Sequence, residues 1–96
     1  MQQYVVIAND GTDENALDRR LNTRPFHLEG AQKLKEQGNF VIGGAMLSDT
    51  GRMKGSVMIV QFESDEDLQH WLANEPYIKQ GVWKDYQVIP FKVANV

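Results

Sequence analysis

The chain contains no cysteine, which removes disulfide staples, thiolate metal ligands and thiol nucleophiles together and leaves the redox compartment undecided. Proline is scarce, at three residues, and no hydrophobic run approaches the length needed to cross a bilayer. The opening Met1-Gln2-Gln3 runs straight into apolar sequence without a basic region or small-residue cleavage site, so a cytoplasmic location is expected. An excess of positive charge is missing too. Ten basic against 13 acidic side chains leave a net charge of −3 at pH 7, the wrong sign for a protein whose affinity comes from neutralising phosphates. Neither nucleic acid nor a membrane is therefore an expected partner. No phosphate-binding loop, glycine-rich nucleotide fingerprint or nucleophile elbow is present.

What is there amounts to one domain. The 96 residues are too few for two self-sufficient cores, so a single domain over 1–96 is expected. Gln3 to Asn9 is rich in Val5, Val6 and Ile7 and ends in Asn9-Asp10-Gly11, which predicts a strand closed by a turn. Asn15 to Gln37 has helical spacing through Leu17, Leu21, Leu28, Ala31 and Leu34. Pro25 interrupts it, so the main helix is expected to start near Arg24 or Pro25 with Thr23 as its cap, and Gly38-Asn39 to stop it. Phe40 to Leu47 and Ser56 to Phe62 predict a hairpin of strands about the polar turn Ser48 to Gly51. Ser64 caps a second helix with Asp65, Glu66 and Asp67 in its first turn, which ends before Pro76. A further helical turn from Pro76 to Gln80, closed by Gly81, leads to a last strand from Trp83 to Lys92.

The order strand, helix, strand, strand, helix, strand predicts a ferredoxin-like α+β fold, βαββαβ, with a four-stranded antiparallel sheet. Pro90 places the last strand at a sheet edge, because proline cannot donate to a ladder. The strands are apolar on both faces: Val57 and Ile59 oppose Met58, Val60 and Phe62, and Val5 and Ile7 oppose Tyr4, Val6 and Ala8. Two helices can cover only one face, so the other is expected to pack against a second copy as a homodimer.

His27 borders the apolar stripe of the main helix, and Arg24 lies three residues earlier on nearly the same face. An imidazole and a fixed cation within one turn suit proton transfer beside an anionic or enol-like ligand; a boundary histidine beside a surface arginine has the same spacing. Glu75 precedes Pro76 and is thereby held extended at the end of the second helix, as an orienting carboxylate for His27 or as a solvated helix-end acid. Gly43-Gly44 inside a strand pattern marks a bulge or a close backbone approach, through packing or ligand access. His70 has no partner at metal-ligand spacing, so no metal site is expected, and Met46, Met53 and Met58 read as core or interface filler.

Taken together, Tyr4-Val5-Val6, Arg19-Arg20-Leu21, Arg24-Pro25-Phe26-His27-Leu28, Gly43-Gly44, Phe62-Glu63-Ser64, Trp71, Glu75-Pro76-Tyr77, Gly81-Val82 and Pro90-Phe91 resemble the YCII-related family over nearly the whole chain. The resemblance implies pairing into a dimeric α+β barrel. It implies an enzyme with a histidine on the first helix and an aspartate in an Asp-Pro-Tyr turn, with no cofactor as a hallmark and dehydrochlorination of a chlorinated hydroxyhydroquinone as one known chemistry. His27 matches the histidine. Glu75 stands where the aspartate is expected and, one methylene longer, needs a shifted backbone or another rotamer to reach it. The resulting expectation is a cofactor-independent acid–base catalyst on a small organic substrate, with His27 and Glu75 catalytic and Arg24, Gly44 and Tyr77 binding substrate. The alternative is a non-catalytic small-molecule-binding or accessory module of the same fold.

Overall fold

The computed structural model describes all 96 residues. The elements are β1 (Gln2–Asp10), α1 (Ala16–Glu36), β2 (Phe40–Leu47), β3 (Met53–Phe62), α2 (Asp65–Asn74), α3 (Pro76–Lys79) and β4 (Trp83–Phe91). The strands form one antiparallel sheet in the order β2-β3-β1-β4. This is the ferredoxin-like arrangement, with β4 and its Pro90 at an edge.

Local chemistry accounts for most of the boundaries. Ser64 accepts a hydrogen bond from the Asp67 N–H at 3.1 Å and so caps α2. Gly38, at φ +80°, ends α1 in the left-handed region, and Gly81, at φ +70°, closes α3 in the same way. β3 starts earlier than Ser56 because Gly55 pairs with Asn9 on one side and Met46 on the other. A Cβ on Gly55 would lie 2.4 Å from the Ala8 carbonyl oxygen, so only glycine lets the strands approach there.

The largest departure from expectation is in α1, which runs unbroken through Pro25, with Asn15 rather than Thr23 in the cap position. Pro25 removes the donor that would reach the Leu21 carbonyl, but Leu21 and Pro25 are both exposed, so water can solvate the freed group. Thr23 is buried, and its hydroxyl donates to the Arg19 carbonyl one turn back at 2.9 Å. The buried stripe of α1 also differs from the leucine pattern. It consists of Ala16, Arg20, Thr23, His27 and Leu34, while Leu21 and Leu28 are each 45% exposed.

The helices cover one face of the sheet, where Val6, Ala8, Met58, Val60 and Phe62 join Leu34, Leu68, Leu72, Tyr77, Val82 and Trp83 in one core. The opposite face carries Val5, Ile7, Val57 and Ile59 half-buried by their neighbours, with Ile42, Ile89 and Phe91 exposed at its margins. Alternation along the strands makes both faces apolar, as the sequence predicts, and leaves one of them bare. The register of β2 slips between Phe40 and Ile42 and again between Met46 and Leu47, so neither irregularity falls at the glycine pair.

Candidate active site

His27 enters the core from α1, and its Nδ1 lies 2.5 Å from Oε1 of Glu75. Glu75 occupies the joint between α2 and α3 with φ −69° and ψ 119°, the extended conformation that a following proline imposes. Its Oε1 also accepts the Tyr77 N–H at 3.1 Å, so one carboxylate caps α3 and anchors the imidazole. Glu75 is only 3% exposed and His27 8%; neither the solvated acid nor the boundary histidine describes these side chains. The Tyr77 ring stacks on His27 at 3.9 Å between centroids and 12° between planes, and Trp83 meets the imidazole edge-on. Since a carboxylate only accepts, Nδ1 carries the proton of a neutral His27 and the lone pair sits on Nε2.

Two turns before His27 on the same helix, Arg20 builds a second buried pair. Its Nη1 donates to both oxygens of Asp10, at 2.9 and 3.0 Å, and its Nη2 donates to the Ser56 hydroxyl at 2.8 Å. Ser56 also accepts the indole N–H of Trp83 at 3.2 Å. The guanidinium lies 4.7 Å from the centre of the Tyr77 ring, so both charged pairs bear on one aromatic side chain. Burial pushes the Tyr77 phenol above the usual tyrosine range, against the pull of Arg20 and Arg24 in the other direction.

A cavity of about 90 Å³ opens beside this cluster, between α1 and the β2 edge. Arg20, Arg24, His27, Tyr77 and Gly44 all line it. Of the residues singled out from sequence, four therefore share one cavity, and Glu75 stands behind His27. Arg24 is exposed and makes no ion pair within the chain. Of the glycine pair, close approach belongs to Gly43, whose Cβ would meet Met58 at 3.1 Å and Phe40 at 3.2 Å; a Cβ on Gly44 would meet nothing within 4 Å. His70 is exposed and away from this cavity, as its lack of partners implies.

Asp10, Arg20, Ser56 and Trp83 did not stand out in the sequence as site residues, although a signal pointed to two of them. Arg20 is seven residues before His27, which places both on one helical face. Asp10 has the strand parity of Val6 and Ala8 and so faces the helices, a fact masked by the turn signature Asn9-Asp10-Gly11.

A ferredoxin-like α+β layer carrying a buried imidazole–carboxylate pair beside a cavity defines the structural class. Within it, the chain belongs to the YCII-related domain family, whose model matches residues 2–92. Protein YciI of Escherichia coli O6:H1 is 38% identical over 95 residues, covering 93% of this chain and 95% of that protein. In structure the chain resembles 5-chloro-2-hydroxyhydroquinone dehydrochlorinase (TftG) from Burkholderia phenoliruptrix, solved in complex with 2,5-dihydroxybenzoquinone. That likeness has a TM-score of 0.80 and 24% identity over 96% of this chain and 95% of that one. It also resembles a dimeric ferredoxin-like protein of unknown function from Jannaschia sp., with a TM-score of 0.60 and 12% identity over 97% of this chain and 100% of that one. At such identities the two structures speak to the fold.

Proposed function

We propose that the chain is a small, cofactor-independent enzyme that performs acid–base chemistry on a small organic, enolisable or aromatic, substrate. His27 exchanges the proton through Nε2, Glu75 fixes the imidazole in the tautomer that leaves Nε2 free, and Arg24 at the cavity mouth receives developing negative charge. Gly44 and Tyr77 form substrate-contacting wall. The observation that carries this reading is the buried Glu75–His27 contact at 2.5 Å beside the cavity. The reaction named for the TftG neighbour, removal of hydrogen chloride from a hydroxyhydroquinone, has the required character, since a base must take a proton as chloride leaves.

The active form is a homodimer closed through the open sheet face. That face is apolar and bare in one copy, and a neighbour of the same fold is described as dimeric. Sedimentation should give twice the chain mass at micromolar concentration, and Ile59→Lys at the centre of the face should yield monomer. A stable monomer for the unaltered chain would refute the pairing.

For the chemistry, chloride release from chlorinated hydroxyhydroquinones and deuterium uptake at acidic C–H positions are the measurements. His27→Gln should lower kcat/KM by about 10²–10⁴, and Glu75→Gln should lower it through kcat. Undiminished turnover by His27→Gln would end the catalytic reading; tight ligand binding with no turnover of any enolisable probe would favour a binding module.

A further inference from the structure

We propose that this cavity takes its ligand as an oxyanion, received by the Arg20 Nε–H and the Tyr77 hydroxyl. The proposal rests on the reading of the cavity as the ligand site and deepens it by naming the ligand class: small acids whose negative charge is shared over conjugated oxygens. The observation behind it is a pair of orphans. Every other polar contact of these two residues is made inside the chain, yet Arg20 Nε and Tyr77 Oη are buried with no hydrogen-bond partner in it. Buried donors are nearly always paired, so two of them on adjoining side chains lining one cavity call for an acceptor.

The remaining atoms of Arg20 are committed. Nη1 is held by Asp10 and Nη2 by Ser56, so the guanidinium is fixed and Nε is its one nitrogen without a partner. The Tyr77 ring is fixed as well, against Arg20 on one hand and His27 on the other. Burial keeps its phenol protonated, and hence a donor, at any ordinary pH.

The charges facing the cavity favour an anion. Asp10 is matched by Arg20, and the Glu75 carboxylate, outside the lining, is turned through Oε1 onto His27 and the Tyr77 N–H. Arg24, one turn from Arg20 and in the same lining, has no carboxylate of its own. A neutral acid entering here would lose its O–H proton to His27 Nε2. The O–H bond breaks, an Nε2–H bond forms, the electron pair stays on the ligand oxygen, and nothing is oxidised. The oxyanion so formed meets two preorganised donors and the imidazolium, the arrangement that stabilises negative charge in a dry site.

Two probes test this on the full chain. 4-Nitrophenol reports its ionised form by visible absorbance, and calorimetry compares benzoate with benzamide. The protein should raise the ionised fraction of nitrophenol at fixed pH and bind benzoate in preference to benzamide. Tyr77→Phe, which keeps the stacked ring and removes one oxygen, should weaken anion binding about tenfold or more with its melting curve preserved. Arg24→Gln should weaken it less. Binding of only the phenolate or only the carboxylate supports the proposal and identifies the form accepted. Measurable binding of benzoate and benzamide with equal affinity, or anion affinity unchanged by Tyr77→Phe, overturns it. Chloride release that persists while anion selectivity fails sinks this inference alone; selective anion binding with full turnover by His27→Gln sinks the catalytic reading alone.

Discussion

Arg19 and Arg20 are neighbours in sequence, each pairs with an aspartate of the preceding segment, and the two pairs have opposite consequences. Arg19 meets Asp13 at 2.7 Å with side chains 32% and 49% exposed, whereas Arg20 meets Asp10 with both side chains 3% exposed. The first sits in water, where solvent and salt compete with it. The second has lost its water and depends on each of its internal contacts. A helix turns about 100° per residue, so the adjacent arginines face different surroundings, Arg20 toward the buried Asp10 and Ser56 and Arg19 toward water.

The sharpest way to break the contrast is to remove one buried partner. Asp10→Ala should cost about 3–5 kcal/mol in urea denaturation, because it leaves a guanidinium buried without its counter-charge. Glu75→Gln ranks next. It keeps an acceptor but exchanges a carboxylate for an amide at the His27 and Tyr77 contacts, and a loss of about 1–3 kcal/mol is expected.

A pH series sharpens the comparison further. The Tyr77 phenol is raised above its unfolded value chiefly by burial. Between the unfolded value, about 10, and the higher folded one, the unfolded chain has released a proton that the folded chain retains. Stability from this group is therefore full below about pH 10 and falls as pH rises through the folded value. Tyr77→Phe should flatten that alkaline slope, read as the urea midpoint against pH.

The smallest effect belongs to the exposed pair. Arg19 holds the Asp13 carboxyl below the usual carboxylate range through a hydrogen bond, yet Asp13→Asn should leave the melting curve unchanged within error. Added salt should leave the Asp10→Ala loss in place. A large Asp13→Asn effect, or an Asp10→Ala loss abolished by salt, would mean that burial is not what separates the two.

Much of the fold was legible because it rests on local rules. Strand alternation, Ser64 as a cap, Gly38 and Gly81 as stops and Pro90 at an edge each act over a few residues, and the sheet order follows from their sequence. Pro25 misled for the converse reason. Its penalty is local, but helix on both sides of it puts Arg20 and His27 two turns apart on the packed face, and exposure at Leu21 and Pro25 lowers the cost.

Of the candidate site, His27, Arg24 and Glu75 stood out by spacing and by the proline after Glu75. Arg20, Asp10, Ser56 and Trp83 did not, because a polar residue on a helix between leucines, or at a strand end, reads as surface or turn until something is shown to pair with it, and a tryptophan in a strand reads as core. Their partners lie 10, 36 and 27 positions apart in the chain, separations over which no periodicity carries information.

By itself, then, the order of residues determined the kind and succession of the elements, the two apolar faces and the presence of an imidazole and an acid in suitable places. Tertiary structure alone decided that Glu75 turns inward onto Nδ1, that Asp10 at the end of β1 pairs with Arg20, and that Tyr77 contacts both pairs. The physical reason is that hydrogen bonds and charge pairs are short-ranged and directional, so their existence depends on positions set only when distant segments close around one another.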